Sequence, residues 1–167
     1  GISPAGEAIP IVGGVRLSGN VGRGLNVGLL NMQTDEVGDL LPGQNFTVAR
    51  LRQDLPNRSS VGVIAVNSVA TGDLSARTDY NRSFAADARI GIGRTGLVSG
   101  FAALTASPGR SGDEHAYQLS ARRDTQAWEL SASYTEVGRN FRPEVGFLSR
   151  TGGFRKPEFL IFHRYRP

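Results

Sequence analysis

The sequence contains no cysteine, a single lysine and no long apolar run. Without cysteine, a disulfide framework and a thiolate metal site are both impossible, and cysteine usage says nothing about the redox compartment. No stretch approaches the roughly 18 apolar residues of a membrane-spanning helix. No basic start followed by an apolar core marks a signal peptide. Because the chain also lacks an initiator methionine, we expect it to be a fragment of a longer protein.

Basic residues outnumber acidic ones by 19 to 15, and all but one of the bases are arginine. Such a basic balance is the electrostatic signature of many nucleic-acid-binding proteins. Here, however, the arginines are scattered from Arg16 to Arg166, without a run and without an interleaved aromatic stripe. We therefore expect no nucleic-acid partner.

The dominant pattern is alternation with a period of two, as in AWELSASYTEVG (residues 127–138). Trp128, Leu130 and Tyr134 fall on one side of this stretch, and Glu129 and Ser131 fall on the other. Successive side chains of a β-strand point to opposite faces, so the stretch predicts a strand with one apolar and one polar face. The same alternation recurs along the chain, and no segment shows a sustained helical stripe.

About nine such segments, each of about ten residues, are joined by connections that alternate between short and long. PNRSS, GRTG and RDTQ are short turns, whereas residues 35–44, 71–81, 107–115 and the stretch after Val137 are longer and polar. This pattern predicts an all-β fold: an antiparallel up-and-down meander that forms a transmembrane β-barrel or a segment of a larger one. We predict a single domain over residues 1–167. Because single-chain bacterial barrels use even strand numbers, nine strands again indicate a piece of a larger barrel.

The same alternation also describes a soluble antiparallel sandwich with one wet face. Long strands and aromatic residues near strand ends favour the barrel. Alanine-rich apolar rows count against it. The residues that we predict to face lipid or its interface are Phe84, Ile90, Tyr117, Leu119, Trp128, Leu130 and Tyr134. The aromatic residues predicted to form an interfacial girdle also include Phe46, Phe159 and Tyr165.

The opposite rows carry charge, and we predict that Arg16, Asp87, Arg89, Arg122 and Glu129 face a lumen. Such a charged interior selects anions or holds a plug by ion pairs. The simpler interpretation, which we favour, is that these charges pair across strands and stabilise the wall.

Three stretches carry specific sequence motifs in addition to the alternation. They are residues 9–36, which contain GLLNMQTDE; residues 45–67, which begin with NFTVAR; and residues 132–150, which contain NFRPEVGF. They resemble the C-terminal domain of the DUF5916 family, over most of residues 9 to 150. Members of that family are large bacterial proteins with an N-terminal domain similar to family 9 carbohydrate-binding modules and a C-terminal outer-membrane β-barrel. The resemblance implies a location in the bacterial outer membrane, with the lipid bilayer as a partner. It supplies no catalytic residue.

Motifs that suggest chemistry have simpler interpretations. GIGRTG (91–96) matches the glycine pattern of a phosphate-binding loop, but a strand-like stretch follows where a helix is required, so we predict a hairpin turn. His115 and His163 lack a neighbouring histidine at ligand spacing. The acidic residues Asp35, Glu36, Asp39, Asp73 and Asp79 indicate solvated loops rather than calcium sites. Glu129 and Glu136, on the polar row of one strand or at its end, do not establish carboxylate catalysis without geometry.

The sequence thus predicts a non-enzymatic barrel segment with a structural, channel or complex-anchoring role, without cofactor or metal. Its partners are lipid and either the remainder of the barrel or subunits of an envelope complex. One alternative is a soluble sandwich that binds carbohydrate or a protein partner. Another is an enzyme whose catalytic domain lies elsewhere, with this part as its barrel.

Overall fold

A computed structural model describes residues 9–36, 42–72, 80–109, 112–143 and 152–165. These residues form nine β-strands and no helix. The strands are β1 (Ile11–Val21), β2 (Leu25–Thr34), β3 (Gly43–Leu55), β4 (Ser59–Thr71), β5 (Tyr80–Ile92), β6 (Gly96–Ala106), β7 (His115–Asp124), β8 (Trp128–Val137) and β9 (Phe154–His163). The prediction of an all-β fold is therefore confirmed.

All nine strands belong to one sheet, in which each strand pairs antiparallel with its neighbour in sequence. The up-and-down meander predicted from the alternating connections is confirmed. Residues 22–24, 56–58, 93–95 and 125–127 make the short turns at one end of the sheet, and the longer connections lie at the other. We call these the short-turn end and the long-loop end. The turn at 22–24 was not predicted, and Arg123 and Asp124 of RDTQ belong to β7.

Three of the short turns use left-handed backbone conformations. Asn57 and Arg58 have φ angles of 58° and 57°, and Gly93 has a φ angle of 56°. GIGRTG spans the end of β5, the turn at 93–95 and the first residue of β6, so the predicted hairpin is confirmed. Gly91 lets the β3–β4 turn pass close beneath β5, because a Cβ at this position would collide with the carbonyl oxygen of Asn57. The Asn57 Nδ2 donates to the Gly91 carbonyl at 2.6 Å.

Residues paired across antiparallel strands share a face, so the register divides the side chains into two sets. One row runs Leu17–Leu29–Ala49–Ala65–Phe84–Leu104 from β1 to β6, and we call its side of the sheet the apolar face. A second row, three residues along each strand, runs Asn20–Asn26–Arg52–Gly62–Asp87–Phe101–Gln118–Thr135, and we call its side the polar face.

Among the described strands, the buried side chains all lie on the polar face. They are Thr34, Ser60, Val66, Ser68, Asn81, Thr105, Ala116 and Val137. Burial of side chains on the described strands is therefore confined to the polar face, and the apolar face is left uncovered.

A segment after β8, residues 138–143, folds back over the polar face at the long-loop end. Phe141 is buried there against Ala116 and Val137. The Arg142 backbone N–H donates to Thr105 Oγ1 at 3.3 Å, and the Arg142 carbonyl accepts a hydrogen bond from Asn81 Nδ2 at 3.1 Å. We call residues 138–143 the inward segment. It covers the polar face over β5 to β8 at this end.

The stretch FLIFHRYRP (159–167) predicts a ninth strand that begins at Phe159, but β9 begins five residues earlier, at Phe154, and includes Pro157. Arg164 N–H donates to the Ala127 carbonyl, and the β8–β9 register continues from this pair without a shift. Hydrogen-bonded pairs alternate along an antiparallel ladder, so the Tyr134–Pro157 pair is a non-hydrogen-bonded one. The nitrogen of Pro157 therefore points away from β8, and the β8–β9 ladder loses no hydrogen bond to the proline.

Candidate functional site: two opposed faces of one sheet

The five residues predicted to share a charged row lie on one face of the sheet. Arg16 of β1, Asp87 and Arg89 of β5, Arg122 of β7 and Glu129 of β8 all have polar-face register. Whether this face lines a lumen stays a prediction, but the strands do bring the five residues to the same side. Position along the strands divides them further, because Arg89, Arg122 and Glu129 lie near the short-turn end.

Asp87 pairs with Arg50 of β3, a residue that the sequence analysis did not single out. The guanidinium of Arg50 forms an ion pair with the Asp87 carboxylate, across the strand between them. The intervening residue on β4 is Gly62, and a Cβ there would lie 2.7 Å from Arg50 Nη2 and 3.1 Å from the Leu51 carbonyl oxygen. Glycine at position 62 thus opens the path along which the ion pair forms.

A second group of charged side chains, at the short-turn end, connects β7, β8 and the residue that follows β9. The Glu129 carboxylate forms ion pairs with the guanidinium groups of Arg122, at 2.7 Å, and Arg164, at 2.9 Å. The Asp124 carboxylate forms ion pairs with the same two arginines, at 3.4 Å and 3.0 Å. The four side chains form a network in which each carboxylate bridges two guanidinium groups. This geometry supports the simpler interpretation of Arg122 as a cross-strand pairing residue.

Arg16 and Arg89 differ from Arg122. Neither forms an ion pair with a carboxylate in the part of the chain that the structure describes. Arg89 lies between Ser60 of β4 and Ser99 of β6 in the register, and it is exposed. The polar face therefore presents fixed positive charge at Arg89 as well as neutralised pairs.

The residues predicted to face lipid all lie on the apolar face. Leu119 is 59% exposed and Phe84 is 57% exposed, and Phe159 and Ile161 of β9 reach 80% and 73%. For comparison, the buried apolar side chains of the described residues are only Val66, Ala116, Val137 and Phe141. The sheet thus displays more large apolar side chains than it buries.

The predicted aromatic girdle needs one correction. Phe46 pairs with Met32 and Ser68, which places it on the polar face, half-buried. It therefore does not contribute to a girdle on the apolar face. The reason is that β3 carries apolar residues on both sides, so alternation does not identify its outward row.

Glu129 and Glu136, predicted to lie on the polar row of one strand or at its end, are near opposite ends of β8 and on opposite faces. Glu129 is on the polar face, whereas Glu136 pairs with Tyr117 and Arg155 on the apolar face at the long-loop end. The hydroxyl groups of Tyr117 and Tyr134 donate hydrogen bonds to the Glu136 carboxylate, at 2.7 Å and 2.8 Å. Arg155 Nε lies 3.0 Å from the same carboxylate. The two glutamates therefore do not form a carboxylate pair.

The cluster around Glu136 belongs to a band of polar side chains along the long-loop end of the apolar face. Asn31 Nδ2 donates to Asn45 Oδ1 at 3.0 Å and to Thr47 Oγ1 at 2.9 Å. Arg82 Nε donates to Asn67 Oδ1 at 3.2 Å, and its guanidinium carbon lies 4.8 Å from the Tyr80 ring centroid. At the short-turn end the same face carries Trp128 packed against His163, with ring centroids 4.3 Å apart and ring planes tilted by 45°. An apolar zone thus lies between two bands of polar and aromatic side chains.

The two histidines lie on the apolar face at opposite ends, beside Glu136 and Trp128 respectively. Across the described ranges, no group of three or more His, Asp or Glu side chains is placed to hold a metal ion. Asp39, Asp73 and Asp79 lie outside the described residues. None of the residues that the structure describes forms a helix long and apolar enough to cross a membrane.

No protein-family model, curated protein or solved structure matches this chain. The resemblance to the DUF5916 barrel therefore stays a prediction from the sequence.

Proposed function

We propose that this chain forms part of the wall of a transmembrane β-barrel in the bacterial outer membrane, in a structural, channel or complex-anchoring role. The apolar face contacts the hydrocarbon interior of the bilayer. The polar face, with its ion pairs and the inward segment, faces a water-filled interior. The resemblance to the DUF5916 barrel supports the same location.

The observation that carries the proposal is the exposure of the apolar face. Phe159, Ile161, Leu119 and Phe84 are each more than half exposed, although they lie in the middle of regular strands. Soluble proteins rarely leave apolar patches of this extent in water, because burying them is the main source of their stability. In a bilayer the same surface is in its preferred solvent.

The height of the apolar zone supports the proposal as well. On β8 it runs from Trp128 to Glu136, which are eight residues apart. At about 3.3 Å per residue and a strand tilt of about 40°, this distance spans about 20 Å across a bilayer, close to the roughly 25 Å apolar band of outer-membrane barrels. The tyrosines and Trp128 at its borders correspond to interfacial aromatic residues.

The alternative of a soluble sandwich is less well supported. A sandwich buries its apolar faces between two packed sheets. The described strands form a single sheet, and nothing among them packs on the apolar face. A sandwich would require a second layer over the whole of this face.

Refolding with and without detergent micelles tests the proposal. We expect the chain to give a β-rich far-ultraviolet circular dichroism spectrum and heat-modifiable gel migration only in detergent. The fluorescence of Trp128, the only tryptophan, should shift to the blue at the same time. A monomer that unfolds cooperatively in plain buffer would contradict the proposal and favour the sandwich.

A further inference from the structure

The apolar face is not uniform. Ala121 of β7 pairs directly with Ala132 of β8, and these alanines lie between Val98 of β6 and Phe159 of β9 in one row. Two small side chains between larger ones produce a groove of about 490 Å³ on the apolar face. Leu130 and Ile161, in the next row toward the short-turn end, extend its apolar lining.

Two arginines line this groove at its short-turn end, but only Arg123 has its side chain on the apolar face, because Arg122 has polar-face register. Arg123 pairs with Leu130 on one side and Gly96 on the other, so no bulky neighbour on β6 covers it. Arg123 is exposed and forms no ion pair with a carboxylate of the described residues. The nearest acidic residue in sequence, Asp124, lies on the opposite face and already bridges Arg122 and Arg164.

We propose that this groove binds one acyl chain of an anionic phospholipid, whose phosphate pairs with the guanidinium of Arg123. The acyl chain lies over Ala121 and Ala132 between Val98 and Phe159. The planar guanidinium matches a phosphate with two parallel hydrogen bonds, and an arginine at the border of the apolar zone reaches the headgroup layer by extending its side chain. The inference rests on the proposed membrane location.

Charge complementarity decides in favour of this occupant. An uncharged lipid or a purely apolar partner segment fills the groove but leaves Arg123 without a counter-charge at the edge of hydrocarbon. A phosphate supplies both the charge and the hydrogen-bond acceptors. Each basic side chain near an anionic membrane surface is worth about a fivefold change in lipid affinity.

The position of Trp128 provides a direct readout. Trp128 lies on the same face as Arg123 and is two residues from Leu130, which lines the groove. Brominated acyl chains quench tryptophan fluorescence on contact. We would reconstitute the full chain in phosphatidylcholine vesicles and replace a fraction of the lipid with brominated phosphatidylglycerol or, in parallel, brominated phosphatidylcholine.

For the unmodified chain we expect brominated phosphatidylglycerol to compete for the site about fivefold better than brominated phosphatidylcholine. Arg123→Gln should abolish this preference. Arg94→Gln removes the same charge from the neighbouring exposed turn, outside the groove, and should preserve it. Ala132→Leu retains Arg123 but fills the groove, so it should reduce the preference too.

Each contrary result has a distinct meaning. Equal quenching by the two brominated lipids in the unmodified chain would overturn the phospholipid site and leave the membrane location intact. A preference that Arg94→Gln weakens as much as Arg123→Gln would also overturn it, because the attraction would then follow net charge. Absence of quenching by either lipid would overturn both the site and the proposed function.

Discussion

Arg50 of β3 and Asp87 of β5 form an ion pair over Gly62 of β4, so a contact between two strands depends on a missing side chain in the third. The two side chains are about one-third exposed, at 33% and 36%. Their interaction joins strands that share no ladder of backbone hydrogen bonds. It therefore links β3 directly to β5 and neutralises two opposite charges on the polar face.

The first prediction concerns this pair. A double-mutant cycle of Arg50→Ala and Asp87→Ala should give a coupling free energy of about 0.5 to 1 kcal/mol, since the pair is partly exposed. In a Gly62→Ala background the coupling should fall to near zero, because the added methyl displaces the guanidinium. The measurement is urea unfolding of the refolded chain.

Gly28→Ala is the matched control. Gly28 flanks Arg50 on the β2 side, and a Cβ there would contact Arg50 Cβ at an ordinary 3.7 Å. The coupling should persist in this background. Loss of coupling in both backgrounds would mean that Gly62 has no special role.

The second prediction tests whether the side chain of Leu119 contacts lipid or water. In a bilayer, Leu119→Arg should destabilise the fold by about 2 to 4 kcal/mol, the cost of an arginine on the lipid face near the midplane. Gln118→Arg, one residue away on the polar face, should cost about 1 kcal/mol or less, mainly through its lost hydrogen bond to Thr135. Urea unfolding from lipid vesicles measures both. Equal, small effects would place Leu119 against water, where its 59% exposure makes the substitution harmless.

The third prediction concerns the inward segment. Asn81→Ala removes the donor to the Arg142 carbonyl and leaves that carbonyl without this partner, at a cost of about 1 to 3 kcal/mol. We expect the segment to open locally, so trypsin should cleave after Arg139 faster than in the unmodified chain. Asn67→Ala removes an asparagine from the opposite face and should leave the cleavage rate unchanged. An unchanged rate in Asn81→Ala would show that Phe141 packing and the remaining hydrogen bonds, such as that from Arg142 N–H to Thr105, hold the segment without Asn81.

The fourth prediction concerns ion selectivity in planar bilayers. Arg89 has no carboxylate partner in the described structure, whereas Arg122 is neutralised by Asp124 and Glu129. Arg89→Leu should therefore shift the reversal potential away from anions more than Arg122→Leu does. Arg122→Leu should instead lower stability, because it leaves Glu129 with only Arg164. The same reversal potential in both variants and the unmodified chain would assign the charges to wall stability alone.

Much of the fold follows from alternation, because a period of two fixes which side chains share a face. Trp128, Leu130 and Tyr134 were placed together correctly for this reason. The position of Glu136 was left open between the polar row and the strand end, although its parity with Trp128 places it on the apolar face when the alternation is extended to the last residues of β8. The start of β9 was missed because Pro157 reads as a strand breaker, which it is not when its nitrogen points away from the ladder.

The register could not be read from the sequence, and the Arg50–Asp87 pair depends on it. Alternation within a strand shows which of its side chains share a face, but not which residues of β3 and β5 lie at the same level of the sheet. In β3 even the faces are hard to assign, because the strand is apolar on both sides around Val48 and Leu51. The role of Gly62 emerges only when Arg50, Gly62 and Asp87 are brought to adjacent rows. The same reasoning applies to the groove beside Arg123, whose floor consists of two alanines from different strands.

Pro157 gives the two outermost described strands different tendencies toward aggregation. A strand that adds to the free side of β9 meets a position without an N–H donor, so the growing ladder is interrupted there. β1 has no proline between Ile11 and Val21, and its register with β2 is regular from Gly13 to Val21, so its other side offers a regular row of donors and acceptors over these residues. Uncontrolled strand addition during refolding should therefore begin at β1, and that is the strand where a single inserted proline or lysine would best keep the protein monodisperse.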